Sequence, residues 1–428
     1  MSIEGWGIGQ LGEICSISIG GTPSRANPVY WDVDKSTDNL WVSIRDLNQR
    51  VITDTAEYLT NQGLKHSNVK ELQSGTVLLS FKLTIGRVAI AGTRLYTNEA
   101  IAGLVSPGFA PDFLYYGLQQ WDLLKGVDQA IKGATLNKQK LNKIEFNYPK
   151  SVQEQAQIAA VLSKIDLAIT QTEAIIAKQQ RIKTGLMQDL LTKGIDESGN
   201  IRSEATHEFK DSSIGRIPAE WEVKELREVS LIIDPNPSHR YPPSSDVGVP
   251  IASTENFFGD NDFDLSFSEK VPFHVFKQQN QRCHFSKLDI IFARKGRLGF
   301  ARYYGESEKV FSHTVVIFKP CDKQQLETSY LLWLVRFRDF FDQIDKRMNS
   351  NSGVPTLGVQ FLGSIPVRVP KLSEQIQICL TLDYLEKRIE EEKRNFSKQK
   401  RLKTGLMQDL LTGKVRVTPL LGKEPASR

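Results

Sequence analysis

The feature that most constrains this chain is an internal duplication. Residues 178–192 read KQQRIKTGLMQDLLT and residues 398–412 read KQKRLKTGLMQDLLT, so 13 of 15 positions agree at a shift of 220. Only the pairs Gln180/Lys400 and Ile182/Leu402 differ. The match continues outward at lower density. Pro149-Lys150 followed by Glu154-Gln155-x-Gln157-Ile158 returns as Pro370-Lys371 followed by Glu374-Gln375-x-Gln377-Ile378. Thr135-Leu136 and Ile144 correspond to Thr356-Leu357 and Ile365. Trp6-x-Ile8-x-x-Leu11-x-Glu13-Ile14 is repeated as Trp221-x-Val223-x-x-Leu226-x-Glu228-Val229, and Ile85-Gly86-x-x-Ala89 parallels Leu298-Gly299-x-Ala301. The chain is two copies of one unit, each a globular body of about 150 residues followed by a segment of about 40. The order of segments is a first globular body at 1–150, a helix at 151–193, a linker at 194–214, a second body at 215–370, a second helix at 371–412 and a tail at 413–428.

The near-identical segments read as long helices. Ser151-Val-Gln-Glu154 is a capping-box pattern directly after Pro149. Apolar or small residues follow at Ile158, Val161, Leu162, Ile165, Ala168, Ile169, Thr172, Ile175, Ile176 and Ile182, a helical period. In the second copy Ile378, Leu382, Leu385 and Ile389 alternate steps of four and three, a coiled-coil seam that continues through Glu392, Phe396 and Gln399. About 40 residues at 1.5 Å each make a helix of roughly 60 Å, which cannot bury its own apolar stripe. The expected partner is the other copy, paired about a pseudo-two-fold axis and therefore antiparallel; a coiled coil between two chains is the alternative. Gly185 and Gly405 interrupt both helices at one place. A glycine inside a helix costs about 1 kcal/mol relative to alanine. The pair marks either a helix terminus or a partner-docking contact. On the second reading the docking residues are Gly185, Leu186, Met187, Gly405, Leu406 and Met407.

Each body mixes β-rich runs with a helix. Strands are predicted at Val77–Phe81, Val88–Ile90 and Ile101–Val105, and at Ile290–Ala293, Val315–Phe318 and Ile365–Val369. Helices are predicted at Asp112–Lys125 and Thr328–Asp345. The fold class is α+β: two α+β domains separated by two long antiparallel helices.

Enzymatic chemistry finds little support. There is no G-x-x-x-x-G-K-[ST] loop and no H-E-x-x-H. The six histidines are scattered, and His284 beside Cys283 lacks a second pair of metal ligands. Asp234-Pro-Asn-Pro237 resembles the Asp-Pro-Pro-Tyr motif of amino-methyltransferases but lacks its adjacent second proline and its aromatic, so it reads as a turn. The four cysteines show no C-x-x-C spacing. No run of 18 apolar residues is present, and the opening MSIEGWGIGQ has no signal-peptide pattern. A cytoplasmic protein with free thiols and no membrane partner is expected.

The loops carry the one chemical signal. In FARKGRLGFARYY, residues 292–304, Arg294, Lys295, Arg297 and Arg302 alternate with aromatics around Gly296 and Gly299. The first body has Lys82, Thr84, Arg87 and Arg94 around Gly86. Arginine and lysine beside glycine suit phosphate contact, and arginine also reads guanine. Further candidates are Thr22, Ser24 and Arg25 in GGTPSR, Arg45, Lys132, the matching Ser238-His239-Arg240, and Asn349 and Asn351. A solvated basic turn is the plain alternative. The formal net charge of +5 permits an acidic partner without requiring one.

Together these features resemble the specificity subunit of type I restriction–modification systems, over essentially the whole chain. The resemblance rests on the duplicated R-[IL]-K-T-G-L-M-Q-D-L-L-T block, the P-K-x(2,3)-E-Q-x-Q-I helix starts and the Trp-x-[IV]-x-x-Leu openings. It implies two target recognition domains, each reading one half of a bipartite, asymmetric site in double-stranded DNA. The helices would form an antiparallel coiled coil that sets the spacer. The partners it implies are two modification (methyltransferase) subunits and the restriction (motor-nuclease) subunits. S-adenosylmethionine, ATP and Mg2+ would belong to those partners, and this chain would hold no cofactor, metal or catalytic residue. The assembled complex would be an adenine-specific DNA methyltransferase and an ATP-dependent deoxyribonuclease. A self-sufficient methyltransferase and a coiled-coil scaffold without DNA contact are the rival readings.

Overall fold

A computed structural model describes residues 3–121, 123, 136–240, 243–347 and 357–420. The chain divides into two compact units, and only the second is contiguous. The first takes Met1–Ala174 with Lys393–Arg428, the second Ile175–Glu392. The helix Val152–Thr192 gives its beginning to the first unit and its end to the second; the helix Leu372–Leu410 does the reverse.

In the first unit five strands lie side by side in the order Ser16–Ile19, Ile101–Val105, Val77–Ser80, Val88–Ala91, Val51–Ile52. Val77–Ser80 and Val88–Ala91 are buried along their whole length. That explains their unbroken apolar runs, since a strand covered on both faces has no polar side to alternate with. The helix Pro111–Gln120 covers the sheet with Leu114 and Leu118 and packs Phe113 and Tyr116 on the long-helix segments, its proline placed in the first turn where no N–H is needed. Leu40–Val42 runs antiparallel to Glu57–Tyr58 and parallel to Tyr96–Thr97. Trp6–Gln10 pairs antiparallel with Glu145–Pro149.

The second unit repeats this topology without a counterpart of the fifth strand Val51–Ile52 in its main sheet. Its sheet runs Ser230–Ile233, Val315–Pro320, Ile290–Ala293, Ala301–Tyr303. Val249–Ala252 again lies antiparallel to one strand, Lys270–Val271, and parallel to another, Val310–Phe311. Glu222–Glu225 pairs with Pro366–Val369. The helix expected at 328–345 is two, Thr328–Arg336 and Arg338–Arg347. They break at Phe337, whose backbone is extended and whose ring is buried in the core.

The duplicated sequences find their reason inside the units. Glu374 in the first turn of one long helix accepts hydrogen bonds from Arg202, just past the end of the other. In the first unit Glu154 holds Arg416 at 2.6 and 2.8 Å. Next to them, Gln155 accepts from the Ala110 N–H and donates to the Pro149 carbonyl at 3.0 Å each. Gln375 does the same for Glu327 N–H and the Pro370 carbonyl at 2.8 Å. Ala110 and Glu327 are the N-cap residues of the sheet-covering helices, so each glutamine satisfies a helix-start donor that has no partner within its helix. Farther along, Lys403 pairs with Asp166 at 2.6 Å and Lys183 with Glu386. Early residues of one helix meet late residues of the other in both units, so the segments pair antiparallel within each. Leu190 and Leu191 enter the core of the second unit, and Leu410 and Leu411 that of the first.

Candidate nucleic-acid interface

In each body the candidate hairpin and the candidate loop after the first sheet strand leave one end of the main sheet, while Arg45 follows Leu40–Val42 of the separate three-stranded sheet. The hairpin from Val77–Ser80 to Val88–Ala91 and the hairpin from Ile290–Ala293 to Ala301–Tyr303 have one geometry. The Gly86 N–H donates to the Ser80 carbonyl and the Gly299 N–H to the Ala293 carbonyl, both at 2.9 Å. Both glycines take positive φ, +93° and +82°. Strand register pairs Leu79 with Val88 and Phe292 with Ala301. The ungapped equivalents are therefore Lys82/Lys295, Leu83/Gly296, Thr84/Arg297 and Arg87/Phe300, and Val88 rather than Ala89 answers Ala301. Leu136 and Leu357 close both arrangements by donating to the carbonyls of the equivalent Phe81 and Arg294.

Around the first hairpin the structure gathers most of the predicted residues. The Thr22 hydroxyl donates to the Glu99 carboxylate. That bond first, and then the charges of Lys82 and Arg25, hold the Glu99 carboxyl below its ordinary range. Arg25 pairs with Glu57 and lies over the ring of Trp31 at 3.7 Å. Arg45 reaches the same Glu57 at 2.8 Å. Arg87 donates to the Ile44 carbonyl at 3.3 Å, which ties the hairpin to the loop of Arg45. Ser24, Arg25, Arg45, Thr84 and Arg87 are exposed, while Thr22 and Lys82 are half-buried. Lys132 lies outside the described residues.

The second cluster differs from expectation at two residues, Arg294 and Arg302. Arg294 is buried, with Nη2 donating to Asp234 at 2.7 Å and Nε to the His313 carbonyl at 2.8 Å. Its charge is committed to Asp234, so it braces the loop base and is not an outward contact. The residues that face outward are Arg297, exposed and donating to the Phe257 carbonyl at 3.2 Å, and the half-buried Lys295. Arg302 is buried too, lying over the ring of Phe257 at 4.0 Å, and burial pushes its guanidinium down to about 10. The exposed His239 stacks on His313 with centroids 4.7 Å apart. Desolvation, followed by the charges of His239, Lys295 and Arg294, lowers the His313 pKa. Ser238 donates to Asn236 at 3.1 Å and accepts from the exposed Arg240 N–H at 3.4 Å. Asp234-Pro-Asn-Pro237 is a turn, with the Asn236 N–H on the Asp234 carboxylate at 2.9 Å. Asn349 and Asn351 lie outside the described residues.

The docking candidates separate in the same way. Both long helices run through their glycines, so neither glycine is a helix end. Gly185 and Gly405 are exposed, with open space where a side chain would stand. Leu186 and Met187 pack on the core of the second unit, and Leu406 and Met407 on that of the first. Sequence reasoning missed the Glu154, Gln155, Glu374 and Gln375 brackets, although their signal, a repeated Glu-Gln pair after Pro-Lys, was plain. Among the described residues no group of acidic, histidine or cysteine side chains could hold a metal ion, and no helix is long and apolar enough to cross a membrane.

Comparison with known proteins agrees with this geometry. Residues 3–181 and 218–396 each match the family described as Type I restriction modification DNA specificity domain. The MjaVIII type I restriction enzyme specificity subunit of Methanocaldococcus jannaschii is 26% identical over 319 residues, 72% of this chain and 71% of that protein. The MjaIX specificity subunit of the same organism is 27% identical over 231 residues, 52% of this chain; the chain spans about half of that protein's length, 51%. A crystal structure of the S subunit of a type I restriction–modification system from M. genitalium shares the fold, with a TM-score of 0.57 at 13% identity over 95% of this chain and 96% of that one.

Proposed function

The chain belongs to the type I restriction–modification DNA specificity family, and on that premise we propose that it is the sequence-reading subunit of a type I restriction–modification complex. One observation carries the reading: two bodies of one topology present a cationic hairpin and a second candidate loop at one end of the main sheet, yet with different side chains. Each body is a target recognition domain for one half of a bipartite DNA site, and the difference between the loops makes the halves unlike. The residues assigned to DNA contact are Thr22, Ser24, Arg25, Arg45, Lys82, Thr84, Arg87 and Lys132 in the first domain. In the second they are Ser238, His239, Arg240, Lys295, Arg297, Asn349 and Asn351, with Arg294 bracing the loop base.

The long helices form the coiled coil that sets the spacer. Their exposed glycine faces at Gly185 and Gly405 dock two modification subunits, and the restriction subunits join that assembly. Catalysis, adenine methylation with S-adenosylmethionine and ATP-dependent cleavage with Mg2+, belongs to those partners in the cytoplasm. The direct test is the map of methylated adenines in the host genome with and without this gene. A bipartite motif lost on deletion supports the reading; an unchanged map sinks it. Methyl transfer by the purified chain alone would favour a self-sufficient enzyme.

A further inference from the structure

The two equivalent hairpins differ most sharply at their tips. Gly296 adopts φ +78°, a conformation open to glycine at no steric penalty. Leu83 occupies the same place with φ +62°, where a Cβ crowds the following carbonyl. Leu83 is also 89% exposed, so no burial within the chain compensates the strained backbone. An exposed leucine by itself is ordinary on a protein surface. A leucine that is exposed, strained and set where the sister domain uses glycine calls for a contact outside the chain.

The surroundings indicate which contact. Lys82 precedes Leu83, the exposed Thr84 follows, and Arg87 stands at the far side of the loop. Lys82 and Arg25 both act on Glu99, which places a second cationic loop beside the hairpin. Cations on either side suit the phosphates that flank a groove, and the apolar tip then faces base edges. In the major groove the one apolar feature that distinguishes bases is the C5 methyl of thymine.

We propose that Leu83 is a specificity-determining residue that packs on the C5 methyl of a thymine in the half-site of the first domain. This rests on the reading of the chain as a DNA specificity subunit. Gly296 offers no such contact, so the second domain does not read a methyl with this position.

Duplexes carrying deoxyuridine in place of single thymines, presented to the complex assembled with its modification subunits, test the idea. Deoxyuridine removes only the methyl. One substitution in the first half-site should weaken binding about fourfold, the effect of losing burial of one methyl-sized group. Leu83→Gly relieves the backbone and should fold at least as well. It should bind the normal site about as weakly as the parent binds the deoxyuridine duplex, and no longer distinguish the two. Leu83→Met should retain the preference, and substitutions in the second half-site should be insensitive to either variant. Equal binding of thymine and deoxyuridine by the parent at every position overturns the proposal, as does a first half-site without an A·T pair. A parent complex that binds all DNA alike overturns the underlying reading instead, and is distinguished by the normal duplex alone.

Discussion

Replacing Glu374 by alanine should be the most damaging single change in the bracket between helix start and helix end. Its carboxylate accepts both Arg202 terminal nitrogens, the Ile195 N–H at 2.9 Å and the Trp221 indole N–H at 3.1 Å. Arg202 and Glu374 are both buried, with side chains 7% and 8% exposed. Glu374→Ala therefore strands a guanidinium and two neutral donors. Breaking a buried pair from one side costs about 3–5 kcal/mol, a large share of the roughly 5–15 kcal/mol that holds a domain together. The equivalent change in the first unit should be milder. Arg416 is 28% exposed and stays solvated after Glu154→Ala, and the Trp6 indole nitrogen already has no protein partner. About 1–3 kcal/mol is expected there. Urea denaturation of the full chain, followed by tryptophan fluorescence, resolves the ranking. The double replacement Glu374→Met/Arg202→Met should recover much of the loss, because no charge is left unpaired. If Glu154→Ala proves as harmful as Glu374→Ala, or Glu374→Ala costs under about 1 kcal/mol, a buried charge is not what the bracket protects.

Three further outcomes are expected. Lys82→Ala and Lys295→Ala, at equivalent hairpin positions, should each lower affinity for all sequences alike and reduce the salt slope by about 1; an unchanged slope removes them from the phosphates. Adding four residues to both long helices, after Ala174 and after Glu392, adds roughly 6 Å, at most about two base pairs at 3.4 Å each. The methylated motif should keep its half-sites and gain spacer, and an unaltered spacer in an active complex refutes the helices' role. Buried Lys309, its ammonium on the Tyr304 and Ser307 carbonyls at 2.6 Å, is pushed down to about 8 from 10.5 by desolvation. Between those values the unfolded chain binds the extra proton, so stability should rise with pH relative to Lys309→Met, by up to about 3 kcal/mol; a flat difference between pH 8 and 10.5 contradicts it.

Much of the architecture was legible because it rests on pattern. The apolar runs at 77–80 and 290–293 are strands buried on both faces, and the Pro-Lys-x(2,3)-Glu-Gln starts open the helices. What escaped depends on direction and register. The sequence around Arg294 looks like an outward basic turn, and only the approach of Asp234, 60 residues away, turns it inward. Gly185 and Gly405 read as either helix ends or docking contacts, and Leu190–Leu191 and Leu410–Leu411, anchored in the cores, carry the helices through them. The two hairpins share a lysine and a glycine, and the match of Ile85-Gly86 to Leu298-Gly299 was legible, but the trailing alanines suggested a gap that the hydrogen bonds remove.

The exchange of helix ends between the units also sets an order of events during synthesis. All of the second unit lies between Ile175 and Glu392, so it can close as soon as that stretch has left the ribosome. The first unit, although its body is made first, must wait for Met407, Leu410, Leu411 and Arg416 to reach Ile158, Leu162 and Glu154. The contiguous unit can thus be completed before the divided one, whose seam on Ile158 and Leu162 stays uncovered until the segment around Leu410 follows.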